Sequence, residues 1–217
     1  MSEHDHNKKI HKCPTEGENY ENLQTISLAK ETTDIIKKEI KLPNDAIILD
    51  FGAGTGLLGL NFINEVKHVI FEDVSKGMLD YLQYKLDTQE LKNYTIFNGV
   101  MEDYNSKEKI DLIMAGMVLH HVEDLKSLFS KFLEMLKPKG YICITDLKKD
   151  APMFNIGVHK HHHVMPHKGF IPEELCENIK KWGCVKTEIK SVSSIIYKGP
   201  NGEEIVSERF MIVAQGP

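Results

Sequence analysis

The sequence predicts an α/β fold: a doubly wound, mostly parallel sheet with helices on both faces. Three observations predict it. The apolar run 47–49 is too short for a helix, ends in Asp50, and is followed by Gly52, Gly54 and Gly56 at alternate positions. A second apolar run, 68–71, ends in Glu72 and Asp73, so that Asp73 lies 19 residues after Gly54. In a doubly wound fold, an acid about 20 residues past the glycine turn receives a ribose. Finally, apolar runs alternate with helix-period stretches as far as Asp146, as successive βα units do.

The elements follow in order. Residues 1–19 hold many His, Lys and Glu and little that could enter a core, so they are expected to be flexible. Over 20–41, Leu23, Ile26, Ala29, Ile36 and Ile40 recur at helical spacing, and Pro43 with Asn44 and Asp45 ends the helix. Residues 57–63 read as a helix, which puts the glycine turn at a helix N-terminus. Ser75 can cap a helix carrying Met78, Leu79, Leu82 and Leu86. Residues 93–98 make a third strand and 109–116 a fourth. A helix with Leu125, Leu128, Phe129, Phe132, Leu133 and Leu136 stops at Pro138 and Gly140, and 141–146 are the fifth strand. In the tail, Pro172 suits the first turn of a helix ending near Trp182. Residues 185–189 and 208–214 read as two strands, with a turn at 199–202 in the segment between them.

Bulk properties exclude several classes. At 217 residues the chain makes one domain with a short appendage: a flexible 1–19 and a domain 20–217. A hydrophobic share of 41% and a mean hydropathy of -0.31 are those of a globular protein. No apolar run approaches the ~20 residues that span a bilayer, and the polar N-terminus has no apolar signal core, so no membrane partner and a cytoplasmic location are expected. There are 27 basic and 32 acidic residues, a net charge of -5 and no long basic block, which argues against nucleic acid as a partner. The four cysteines form no C-x-x-C pair and read as reduced thiols.

The spacing of the glycine turn is specific. A dinucleotide fingerprint is G-x-G-x-x-G, whereas here Leu57 follows Gly56, and no Lys follows to make a phosphate loop. The string 49–56, Leu-Asp-Phe-Gly-Ala-Gly-Thr-Gly, instead resembles the first motif of class I S-adenosylmethionine (SAM)-dependent methyltransferases. Residues 72–79, with an acid ending a strand and Met78 after it, resemble the second motif. Leu119-His120-His121-Val122 and Leu136-Lys137-Pro138-Lys139-Gly140 resemble strings of the small-molecule branch, of the ubiquinone- and menaquinone-biosynthesis type.

The resemblance covers about 46–147, and its implications concern the fold, the cofactor and its contacts. It implies a seven-stranded sheet of order 3-2-1-4-5-7-6 with the last strand antiparallel, a leading helix over 20–45, a histidine-rich insert at 148–171 and a C-terminal unit at 172–217. The cofactor is SAM and the acceptor a small molecule. Asp50 would hold the turn and help orient the methionine end, Gly52, Ala53 and Gly54 would form the floor under the cofactor with Thr55 and Gly56 beside them, and Asp73 would receive the ribose. Met78 would pack on the adenine, and Val74, Met101, Glu102 and Ala115 would also contact the cofactor. Val100 departs from the pattern, standing where relatives often keep an Asp for the adenine amino group. On spacing alone, Met78 reads more often as a core residue, and Glu102 and Asp103 as acids of a solvated loop.

Methyl transfer from a sulfonium is a displacement, so the protein mainly positions the partners. An acceptor carrying a proton also needs a base. His120 is the candidate, because the Leu-His pair after strand four resembles the place where plant small-molecule O-methyltransferases keep a catalytic His. A packing role at a helix start is the other reading. The stretch after strand four lacks the Asn/Asp-Pro-Pro-Tyr/Phe string of enzymes acting on bases and amide nitrogens. Five histidines within 159–167 suggest metal binding, yet no ligand spacing such as H-E-x-x-H occurs, and no metal is expected. Two alternatives stay open: a non-catalytic SAM or nucleoside binder on the same fold, and a metal-responsive protein using the insert.

Overall fold

A computed structural model describes residues 15–155, 165–199 and 201–217. Its centre is a seven-stranded sheet. The strands are β1 (Ile47–Phe51), β2 (His68–Asp73), β3 (Tyr94–Asn98), β4 (Ile110–Gly116), β5 (Leu136–Leu147), β6 (Lys186–Lys190) and β9 (Arg209–Gln215). Their order is β3-β2-β1-β4-β5-β9-β6. β1 to β5 are mutually parallel, and β9 runs antiparallel between β5 and β6. Helices α2 (Leu23–Glu39) and α3 (Lys76–Thr88) contribute to the core on one face of the sheet, α4 (Leu125–Met135) and α5 (Pro172–Lys181) to that on the other.

The pleat sorts side chains between the two faces. In β1, Ile47, Leu49 and Phe51 join the core under α4 and α5, while Ile48 joins the core under α2 and α3. In β9, Phe210, Ile212 and Ala214 face the first core and Met211 and Val213 the second. Burial on both faces is why these strands read as continuous apolar runs. Each fully buried Phe, Leu or Ile is worth about 1.5–3 kcal/mol.

Several stretches differ from the sequence expectation. Residues 57–66 are not an α-helix. Only Gly59–Asn61 form a single 3₁₀ turn, and most of the local bonds reach back three residues. Gly59 is the cause: glycine is a poor helix former, and its N–H donates to Asp50 Oδ2 at 2.8 Å rather than to a helical carbonyl. The helix expected over 20–41 begins at Leu23, because the Asn22 side chain accepts from Gln24 N and Thr25 N while Thr25 Oγ1 accepts from Asn22 N. Before it a short helix, α1 (Thr15–Tyr20), occupies part of the stretch expected to be flexible. It docks on α3 through Gly17 against Tyr81 and an ion pair between Glu21 and Lys85. Residues 1–14 and 156–164 lie outside the described residues, so most of the histidine run does too. Between β6 and β9 the chain also forms a hairpin, β7 (Ile195–Lys198) with β8 (Glu204–Ser207), around the expected turn.

β5 starts earlier than the Pro-Gly stop suggested. Leu136 pairs with Ile110 and Tyr141 with Leu112, so residues 137–140 bulge out of the ladder. Among the described residues no helix is long and apolar enough to cross a membrane.

Arg209 fastens the leading helix to this frame. Only 5% exposed, it donates from Nε to Ser193 O at 2.8 Å and from a terminal nitrogen to Glu31 Oε2 at 2.9 Å. Glu31 also accepts from Ser193 N and Oγ. Arg209→Ala is expected to cost about 1–3 kcal/mol. That is less than the ~3–5 kcal/mol for breaking a fully buried pair, because water can reach Glu31. In a chain of this size the loss lowers Tm by roughly 2–4 °C per kcal/mol, readable in a thermal melt. A variant melting like the wild type would show the clamp to be idle.

Candidate active site

The site lies beyond the carboxyl ends of β1, β2, β4 and β5, where an open parallel sheet presents its loops. β1 delivers Asp50, 2% exposed, and then the glycine turn. Gly52, Gly54 and Gly56 all have positive φ, at 62°, 54° and 78°. The turn is tied to the end of β2. Ala53 N donates to Glu72 O at 2.8 Å, Gly52 N to Glu72 Oε2 at 3.2 Å, and Gly54 N to Asp73 Oδ2 at 2.7 Å. The other oxygen of Asp73 accepts from Ser75 N at 2.7 Å, and Ser75 caps α3 through Met78 N. Asn98 at the end of β3 donates to the carbonyls of Asp73 and Val74.

The carboxylates around this turn differ in state. Burial pushes Asp50 up to about 8, against the pull of the Gly59 N–H, and the charge of Asp73 adds to the rise. Burial likewise pushes Glu72 up to about 8; the Gly52 N–H opposes it, while Asp73, Glu102 and Asp50 add to it. Across the turn, Tyr20 at the end of α1 has its phenol raised by burial and then by Asp73, Glu21 and Asp50, which keeps it a proton donor. The residue as a whole is 43% exposed, so Tyr20 stands at the surface beside the turn.

Two features leave room for a polar ligand group beside the turn. Among the described residues, a Cβ on Gly54 would meet nothing within 4 Å, so the turn faces open space between them there. Thr55 Oγ1 is buried with no hydrogen-bond partner among the described residues, which is costly unless a ligand or water satisfies it. By contrast a Cβ on Gly52 would come within 2.2 Å of Val118 Cγ2, and one on Gly56 within 2.5 Å of Leu82 Cδ1, so those glycines are required by the protein's own packing.

The expected residues sort into groups. Asp50, Gly52, Ala53, Gly54, Thr55, Gly56 and Asp73 are brought together. Val74 stands 68% exposed at the rim, and Met78 is half-buried in the first turn of α3. Ala115 is buried opposite Phe51 at the end of β4. The Met101 side chain is 2% exposed and packs in the core under α4, and Glu102 is exposed beside it. His120 is 2% exposed, with Nδ1 at 2.7 Å from Asp146 Oδ1, and its ring lies against those of His121 and Phe154. His159, His161, His162 and His163 lie outside the described residues. His167, which is described, donates its N–H to His120 O at 3.3 Å. Among the described residues no group of three His, Cys, Asp or Glu is arranged to hold a metal.

The sequence reading missed Tyr20, Glu72 as a brace for Gly52, and Asp146. Each depends on a contact distant in sequence. The only signals were that Tyr20 opens the helical stretch and that Glu72 and Asp146 end apolar strands.

Comparison with known proteins agrees with this geometry. Residues 48–140 match the family described as a methyltransferase domain. An uncharacterized methyltransferase of Schizosaccharomyces pombe is 27% identical over 154 residues, covering 65% of this chain and 54% of that protein. A ubiquinone biosynthesis O-methyltransferase of Rickettsia bellii is 23% identical over 139 residues, covering 64% and 56%. The chain thus spans about half the length of these curated relatives. Among solved structures, the YcgJ protein of Bacillus subtilis superposes with a TM-score of 0.68 at 14% identity, covering 86% of this chain and 98% of that one. A phosphoethanolamine N-methyltransferase 2 of Haemonchus contortus in complex with SAM gives 0.69 at 16% identity, covering 87% and 52%. At such identities the structures establish the fold.

Proposed function

We propose, from the premise that residues 48–140 are the core of a class I SAM-dependent methyltransferase domain, that the chain transfers a methyl group to a small molecule. The observation that carries the reading is the glycine turn braced by an acid: Gly54 N–H on Asp73 Oδ2 beside open space and an unsatisfied Thr55 hydroxyl. SAM is the cofactor, and when bound it supplies a methyl carbon on a sulfonium that leaves as a neutral thioether.

The chain's own residues would do the rest. Gly52, Ala53, Gly54, Thr55 and Gly56 form the floor, and Asp50 holds the turn from beneath through Gly59. Asp73 suits a ribose because a carboxylate accepts from two hydroxyls at once. Val74, Met78, Glu102, Ala115 and the backbone at Met101 would border the nucleoside. Tyr20 would cover it from above, and His120 would take a proton from the acceptor. The small-molecule assignment draws support from the relatives' names and from the Leu119–Val122 string.

Calorimetry with SAM and with its demethylated product tests the reading. Both are expected to bind, and Asp73→Ala is expected to weaken them about 10–100-fold, the value of losing hydrogen bonds to a charged group at about 1.5–3 kcal/mol. Asp73→Asn, checked by melting to be folded, should fall between. Absence of binding by the wild-type chain would sink the proposal.

A further inference from the structure

We infer that β3 is a docking edge and that its occupant is β3 of a second copy of this chain, the two strands pairing antiparallel about a two-fold axis at Ile96. The inference is independent of the methyl-transfer reading. It starts from a difference between the two edges of the sheet. β3 and β6 are the outermost strands, so among the described residues each has a neighbouring strand on one side only. An open edge presents unpaired N–H and C=O groups, and proteins blunt such edges with charge, proline or bulges. β6 is blunted: Lys186, Glu188 and Lys190 alternate along it, paired with one another and with Glu39.

β3 is not blunted. From Asn93 to Val100 the chain reads Asn-Tyr-Thr-Ile-Phe-Asn-Gly-Val, with no charge and no proline. Its register with β2 is unbroken from Tyr94 to Asn98. Asn93 O accepts from Val69 N and Gly99 N donates to Asp73 O, so the odd-numbered residues are the ones bonded to β2. By the two-residue period of a strand, Tyr94, Ile96 and Asn98 turn their N–H and C=O groups outward.

The residues in and around the strand select the occupant. About an axis at Ile96, Ile96 faces its own counterpart, Tyr94 faces the partner's Asn98 and Thr95 faces the partner's Phe97. Each outward N–H then meets an outward C=O. A β-branched residue opposite an aromatic is a favourable cross-strand pair, and Phe97 is already packed on Tyr104, with ring centroids 5.0 Å apart. Past the strand, exposed Lys92 faces the partner's Val100, whose side chain is 46% exposed and can be covered by the lysine stem. The ammonium then lies near the partner's Glu102, also exposed, two residues further along that chain. The axis makes this contact twice. An uncharged strand with a Lys before it and a Glu after it is thus complementary to itself when reversed.

Sedimentation of the full chain from about 1 to about 200 µM tests this, the range suited to a small interface. The mass of the wild type is expected to double across it, and hydrogen exchange at the Tyr94, Ile96 and Asn98 amides to slow over the same range. Thr95 is exposed and close to the axis, so a charge placed there meets its own copy. Thr95→Lys and Thr95→Glu, each checked by melting to be folded, should each stay monomeric alone. Mixed in equal amounts they should dimerise, because opposite charges then meet. A wild type that stays monomeric throughout would leave the edge to a strand of another protein and overturn the inference. A dimer whose three amides exchange as fast as in the monomer, a dimer formed by Thr95→Lys alone, or a mixture of the two variants that stays monomeric would overturn it as well. If either variant fails to fold, the wild-type mass and amide exchange still decide.

Discussion

Gly52→Ala is expected to abolish SAM binding and to lower stability by about 2–4 kcal/mol. Two costs add. The backbone sits at φ 62°, where an L side chain costs about 1–2 kcal/mol. The new methyl would stand 2.2 Å from Val118 Cγ2 and 2.7 Å from Val118 Cβ. A Cβ so close to another Cβ finds no relief by rotation, so the loop at 117–120 must move. That loop is short of slack, since Met117 is already strained and bonded to Thr145. Gly54→Ala is the informative contrast. It bears similar backbone strain at φ 54°, yet its methyl meets nothing within 4 Å among the described residues. It should melt closer to the wild type while still losing SAM affinity, because the methyl enters the space the turn keeps open. Thermal melts and calorimetry on both variants check the ordering. If Gly52→Ala melts no lower than Gly54→Ala, the contact with Val118 is not a constraint. Adding Val118→Ala to Gly52→Ala should return part of the stability.

How much was legible in the sequence follows from how far each cause lies along the chain. The bounds of β2 and the alternation of strands and helices were readable, because strands buried on both faces are apolar throughout. Asp73 was readable from its distance to Gly54. The segment after the turn was misread as a helix because the decisive bond joins Gly59 to Asp50, a contact that no hydrophobic period reports. α1 escaped notice because Gly17 is favourable there only against Tyr81, a tertiary contact. The β7–β8 hairpin was half seen, as its turn alone. Asp146 looked like the end of a strand; only the sheet, by setting β5 beside β4, brings it to His120.

The second large effect is a coupling between protons and the cofactor. Asp50 and Glu72 both titrate near about 8 in the folded chain, mainly through burial, against 3.8 and 4.5 as ordinary carboxyls. The folded state therefore binds more protons than the unfolded state between about pH 4 and 8. The stability this gives is fully present below the ordinary carboxyl range and is lost as pH rises through 8. The free protein's Tm is expected to fall from pH 5 to pH 8.5; a loss of about 3 kcal/mol would lower it by roughly 6–12 °C.

SAM reverses the balance, because its sulfonium and ammonium charges favour ionised carboxylates. Binding at pH 7 should then release protons, and affinity should rise by up to about tenfold per pH unit for each coupled group until pH 8. Calorimetry at pH 7 in buffers of different ionisation enthalpy reads the proton count directly. Glu72→Gln keeps an oxygen for the Gly52 N–H and removes one titrating group, so it should remove about half of the release. An enthalpy independent of buffer would mean that the buried acids keep their protons beneath the cofactor, and that Asp73 alone among these three meets its charge.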